Sequence, residues 1–146
     1  MSQLADSLRA ALNAARKSRQ KARALVLGTI LANLKNRELE LGRDPTDDEA
    51  VEVIRKGIKL RREAAEQFSG AGRTDLADVE RNQIEVLEEF LPPSADPAEI
   101  RAAARAAIAA GAKDLGKVMG AVMPNFKGRA DGKLISQIVR EELQAG

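Results

Sequence analysis

Apolar residues recur three and four positions apart along nearly the whole chain, and the runs are cut by glycine and proline rather than by alternation. That spacing belongs to helices with one buried stripe; no stretch shows the period of two that a half-buried strand requires. The cuts fall at Gly42 with Asp44-Pro45, at Gly70-Ala71-Gly72, at Pro92-Pro93 and at Gly111. The expected fold class is therefore all-α, a long-helix N-terminal domain followed by a small three-helix C-terminal domain.

Start signals fit between these stops. Leu4, Leu8, Ala11, Leu12 and Ala15 mark a first helix, and Ser18 is read as the N-cap of a second, whose stripe is Leu27, Ile30, Leu31 and Leu34. Thr46-Asp47-Asp48-Glu49 has the form of a capping box, in which hydroxyl and carboxylate each satisfy an amide that the helix leaves unbonded. The third helix that starts there presents Val51, Ile54, Ile58, Ala65 and Phe68. A fourth runs from Thr74 with Leu76, Val79, Gln83, Ile84, Leu87, Phe90 and Leu91 on one side.

Pro92-Pro93-Ser94-Ala95 denies helix continuation and reads as a short stiff linker between residues 1–91 and 96–146. Asp96-Pro97-Ala98-Glu99 restarts the chain with an acid cap and a proline at the first helical position. Asp114 then caps a helix expected to stop at Met123-Pro124, and Asp131 caps a last one through Ile135, Ile138, Val139 and Leu143.

What is missing narrows the chemistry. The sequence of 146 residues holds no His, Cys, Trp or Tyr, so it offers no imidazole, no thiolate and no disulfide. Zinc, haem and iron–sulfur centres lose their usual ligands, and no calcium-loop spacing appears; no metal and no cofactor are expected. Residues 1–6 lack the pattern of a secretory signal, and the longest apolar run, Ala24 to Leu27, is far too short for a bilayer. A cytoplasmic protein that does not enter membranes is the expectation.

Net charge is +2, yet no acidic residue lies between Asp6 and Glu38, where Arg9, Arg16, Lys17, Arg19, Lys21, Arg23, Lys35 and Arg37 all fall. On a helix Arg16, Arg19 and Arg23 share a face able to follow a phosphate backbone; the alternative is a solvated face opposite the apolar stripe, with acidic neighbours supplied by another helix. Arg55, Lys59 and Arg62 form a second basic cluster on the flank of the third helix. Arg61 projects inside the apolar arc, where an unpaired guanidinium is costly, and is read as a structural ion pair with Glu85, Glu88 or Glu89.

Two C-terminal segments complete the candidates. Gly116 and Gly120 share a helix face beside Lys117, which leaves room for another backbone, while Leu115, Val118, Met119 and Val122 are read as core. Lys127, Arg129 and Lys133 surround a glycine turn that leads into a helix N-terminus. The turn is no phosphate loop: Gly128 and Gly132 are too close together, no strand precedes them, and Leu134 stands where a Ser or Thr would hold magnesium. A nucleic-acid phosphate at the helix N-terminus remains open beside a purely structural turn.

The stretches Ala71-Gly72-Arg73-Thr74-Asp75-Leu76, Glu85-Val86-Leu87-Glu88-Glu89-Phe90-Leu91-Pro92, Gly116-Lys117-Val118-Met119-Gly120-Ala121-Val122-Met123-Pro124 and Gly128-Arg129-Ala130-Asp131-Gly132-Lys133-Leu134 resemble the YqeY-like family. That family is similar to the C-terminal tail of the B subunit of the glutamine-dependent aspartyl/glutamyl-tRNA amidotransferase, whose chemistry lies on other domains. The resemblance implies tRNA or a tRNA-like RNA as partner, carries over Lys117, Lys127, Arg129 and Lys133 as positions of the shared motif, and supplies no active site. It implies an association with carbon–nitrogen ligase chemistry by kinship alone. The expectation is a non-catalytic RNA-binding or amidotransferase-associated protein; a protein–protein adaptor is the alternative, and a stand-alone ligase comes last.

Overall fold

The Thr46 hydroxyl accepts from the Glu49 amide at 3.2 Å while the Glu49 carboxylate accepts from the Thr46 amide at 2.9 Å, so the capping box is formed in both directions. In the computed structural model, which describes residues 2–146, similar local signals delimit most of the helices. The elements are α1 (Gln3–Lys17), α2 (Lys21–Leu41), α3 (Asp47–Gly70), α4 (Thr74–Glu88), α5 (Pro97–Ala109), α6 (Leu115–Phe126) and α7 (Gly132–Ala145); among the described residues there is no strand. Ser2, Asp96, Asp114 and Asp131 each accept from an amide of the turn they open.

Ser18 has a different place from the one its sequence context suggests. It closes α1, its hydroxyl donating to the Ala14 carbonyl, and α2 begins after Gln20 with no side-chain cap. Behind this is a Schellman turn: Gln20 N–H bonds Ala15 O at 2.9 Å, Arg19 N–H bonds Arg16 O at 3.2 Å, and Arg19 takes φ +57°. Gly72 and Gly111 occupy the same left-handed position after α3 and α5, so Arg19 stands where glycine is usual.

The helices fall into two compact units, one ending at Leu91 and the other comprising Pro92–Gly146. In the first, α1 pairs with α2 and α3 with α4, and α2 reaches α1, α3 and α4. Leu8, Leu27, Ile30, Ile54 and Leu87 are fully buried there. Each such side chain stabilises the fold by about 1.5–3 kcal/mol relative to exposure. Phe68 near the end of α3 is partly buried; Val79 is 50% exposed, so the apolar stripe of α4 is narrower than its sequence suggests.

In the second unit α5, α6 and α7 each contact the other two around Ile100, Ala104, Val118, Val122, Phe126, Ile135, Ile138 and Val139. Helix α6 runs through Pro124 instead of stopping there. Proline forfeits one hydrogen bond, but Phe126, 5% exposed, anchors the last turn in the core. The alanines of α5 include Ala104, completely buried, which lets the three helices approach closely.

Candidate nucleic-acid interface

Helix α6 has two sharply different faces. Val118, Val122 and Phe126 are buried, while Gly116, Lys117, Gly120, Ala121 and Pro124, three and four apart on the other side, are exposed. A Cβ at Gly120 would meet nothing within 4 Å, and one at Gly116 would meet Asp114 Oδ1 at 3.5 Å. Neither glycine is demanded by packing inside this chain. The strip is smooth and open, and Lys117 stands on it, its Nζ 3.9 Å from Asp114 Oδ2 in a pair exposed on both sides. An exposed pair of this kind contributes little to stability.

The turn that follows is tightly built. Gly128 adopts φ +78°, the amides of Arg129 and Ala130 both bond the Phe126 carbonyl, and the Arg129 carbonyl accepts from Ala95 N–H at 2.8 Å. The Arg129 guanidinium lies 5.7 Å from the centre of the Phe126 ring and 3.1 Å from Glu99 Oε2. Arg129 therefore ties the turn to α5 while its side chain stays about a third exposed (36%). Lys127 and Lys133 are exposed at the two ends of the turn, and Asp131 caps α7 through the Lys133 amide at 3.1 Å.

Along α7, Lys133, Ser136, Gln137, Arg140 and Gln144, together with Gly132 and the acidic Glu141, line one open face of the helix. Arg140 is a cation that charge clustering in the sequence does not single out, because it is isolated there; helical geometry brings it onto the face of Lys133, two turns away. Arg101 and Arg105 instead pair with carboxylates of α7. Arg101 bonds Glu141 and Glu142, and Arg105 bonds Glu142 at 2.8 Å. Hydrogen bonding from Arg105, with Arg101 helping, holds the Glu142 carboxyl below the usual carboxylate range.

The N-terminal candidates separate in the same way. Because the α1–α2 turn intervenes, Arg16, Arg19 and Arg23 do not lie on one helix face. Arg16 and Arg19 are exposed, whereas Arg23 pairs with Glu89 and sits 5.9 Å from the Phe90 ring centre. On α3, Lys59 is exposed, Arg55 is partly buried, and Arg62 comes within 3.9 Å of Glu88. Arg61 is partly buried as expected, but its hydrogen bonds run to neutral groups: Nε to Gln83 Oε1 at 2.9 Å and Nη1 to the Gly57 carbonyl at 3.1 Å. Burial draws its pKa down, with Glu80 opposing at longer range.

Among the described residues no three carboxylates converge to hold a metal ion, and no helix is long and apolar enough to cross a membrane.

Comparison with known proteins adds the lineage. An uncharacterised protein of Schizosaccharomyces pombe is 40% identical over 54% of this chain and 64% of its own length, just under two thirds. A Pyrenophora tritici-repentis protein named altered inheritance of mitochondria protein 41, mitochondrial, is 31% identical over 94% of this chain and 80% of its own. A glutamyl-tRNA(Gln) amidotransferase subunit of Natronomonas pharaonis is 32% identical over 65% of this chain, which corresponds to 13% of that much longer protein. The similarity to the amidotransferase thus spans a small part of its relative. The model of the Yqey-like protein family matches residues 5–143, and the chain belongs to that family.

Proposed function

We propose that this chain is a non-catalytic RNA-binding protein of the tRNA-amidation system, which holds the backbone of tRNA or a tRNA-like RNA. The observation that carries this reading is the exposed strip of α6, where Gly116 and Gly120 leave space above the helix and Lys117 supplies charge beside it. A phosphodiester backbone is held by close approach and positive charge, whatever the base sequence. Lys127, Lys133 and Arg140 extend the positive surface along the turn and α7, while Arg129 shapes the turn and contributes less to binding. In this reading Arg16, Arg19 and Lys59 are secondary contacts, and Arg23, Arg55 and Arg62 act mainly within the fold.

The relation to an amidotransferase protein supports the choice of RNA and of system, and amidation itself is assigned to other proteins. The sequence offers no thiol or imidazole, the commonest nucleophile and base for releasing ammonia from an amide. The expected compartment is one that holds tRNA: the cytoplasm, or for organellar members of the family the mitochondrion that the Pyrenophora relative's name mentions.

A filter-binding titration with bulk tRNA at two salt concentrations tests the reading. Affinity should fall steeply with salt, and Lys117→Ala, Lys127→Ala and Lys133→Ala should each weaken binding and flatten the salt slope by about one. Salt-independent binding, or a triple variant that binds as well as the parent, rules the reading out. A protein partner recovered after nuclease treatment, with no tRNA affinity, favours the adaptor alternative instead.

A further inference from the structure

Helix α2 carries a second ordered face that the fold does not use. Its core side is Val26, Leu27, Ile30 and Leu34. On the opposite side lie Ala22, Leu25, Thr29, Ala32, Asn36 and Leu39, all exposed, with Leu25 at 64% and Leu39 at 69%. None of these six is charged, although about a third of the chain is (32%). Their separations alternate three and four, which is the seam of a heptad coiled coil running roughly 26 Å along the helix. Thr29 donates its hydroxyl to the Leu25 carbonyl at 3.0 Å, so its own helix satisfies it and its methyl group is left for the seam.

We infer that this face is a self-association surface, on which a second copy of the chain lays its own α2 parallel and in register. Three features select that occupant. Ala22, Thr29 and Asn36 take the a positions and Leu25, Ala32 and Leu39 the d positions, and a single Asn at a fixes register and the number of strands. In a parallel pair Asn36 meets Asn36 of the second copy, and two side-chain amides hydrogen-bond each other. An antiparallel pair would set Asn36 against Leu25 and bury it without a partner.

Charge complementarity is the third feature. Lys35 flanks the seam on one side and Glu40 on the other, five residues on, which is the spacing at which opposite charges meet between parallel helices. In the single chain these side chains make surface pairs, Lys35 with Glu38 at 3.4 Å and Arg37 with Glu40 at 3.0 Å. Lys35 and Glu40 are 65% and 66% exposed, so both can turn toward a second copy at little cost. The seam is short and includes alanine and asparagine layers, so the association is reversible.

Sedimentation equilibrium of the RNA-free 146-residue chain over a wide concentration range tests this. The expected result is a monomer–dimer equilibrium that Leu25→Glu with Leu39→Glu weakens by about tenfold or more. Circular dichroism should show unchanged helicity, because both positions are exposed. Lys35→Glu should weaken the dimer, and adding Glu40→Lys should restore it. The chain has no cysteine, so Ala22→Cys gives a single thiol; on oxidation it should form a covalent dimer, and Leu39→Glu should suppress this. A protein that stays monomeric at every concentration, a dimer indifferent to the double glutamate variant, or an Ala22→Cys protein that dimerises without cross-linking to itself would each overturn the inference.

Discussion

Arg61 Nε and Gln83 Oε1, on neighbouring helices of the N-terminal unit, are 2.9 Å apart, and the same guanidinium reaches back to the Gly57 carbonyl at 3.1 Å. A charged donor is thus accommodated at a partly buried site by two neutral acceptors. Gly57 makes this possible: a Cβ there would lie 3.0 Å from Ile30 Cδ1 and 3.2 Å from Arg61 Nη1.

Arg61→Ala should lower stability by about 1–3 kcal/mol, since it leaves Gln83 without its donor and empties space beside the core. Gln83→Ala should cost less, and the double variant should fall short of the sum, revealing the coupling in thermal melts. An unchanged melting temperature for Arg61→Ala would mean that the contact contributes nothing.

Arg19 predicts a gain instead. Its φ of +57° costs an L-residue roughly 1 kcal/mol that glycine does not incur, so Arg19→Gly should raise the melting temperature of the N-terminal unit by about 4–8 °C. The same change removes an exposed cation, and on the RNA-binding reading it should slightly lower tRNA affinity. Differential scanning calorimetry and filter binding on one sample separate the two effects.

Gly120→Ala should likewise act in opposite directions. The position is an exposed helix interior with nothing within 4 Å, so alanine should stabilise by about 0.5–1 kcal/mol. If RNA backbone approaches over this strip, the added methyl should weaken binding. A variant that is more stable and binds undiminished would show that Gly120 is not a contact.

Acid should unfold the protein through identifiable carboxylates. Glu142, bonded first by Arg105 and then by Arg101, has a pKa below the ordinary value of 4.5, and Glu49, bonded by Arg43 and the Thr46 amide, is drawn down to about 2. Carboxylates lowered on folding contribute stability that is fully present above their ordinary pKa and is lost as the pH falls through the folded value. Stability should therefore decline from about pH 4.5 toward 2, and Glu142→Gln should flatten the part of that decline that belongs to the C-terminal unit. Chemical denaturation at a series of pH values measures this.

We propose further that residues 92–146 form an autonomous domain. Their core of Ile100, Val118, Val122, Phe126 and Ile135, with the arginine–glutamate cluster between α5 and α7, is internal to that unit. The separate fragment should be helical by circular dichroism and melt cooperatively; a fragment without a melting transition would refute the proposal.

The helical class, the capping box at Thr46, the acid caps at Asp96, Asp114 and Asp131 and the stop at Gly42 were all legible in the sequence, because each depends on groups within a few residues of one another. Apolar spacing likewise placed Leu27, Ile54 and Val118 inside. Tertiary structure decided the rest. Whether Pro124 ends a helix depended on the burial of Phe126, and which basic residues keep their charge available depended on partners far along the chain: Glu89 for Arg23, Glu99 for Arg129, Glu141 and Glu142 for Arg101 and Arg105. Local hydrogen bonds and periodicity are written in neighbouring residues, whereas ion pairing and exposure belong to distances between helices, which exist only once the chain has folded.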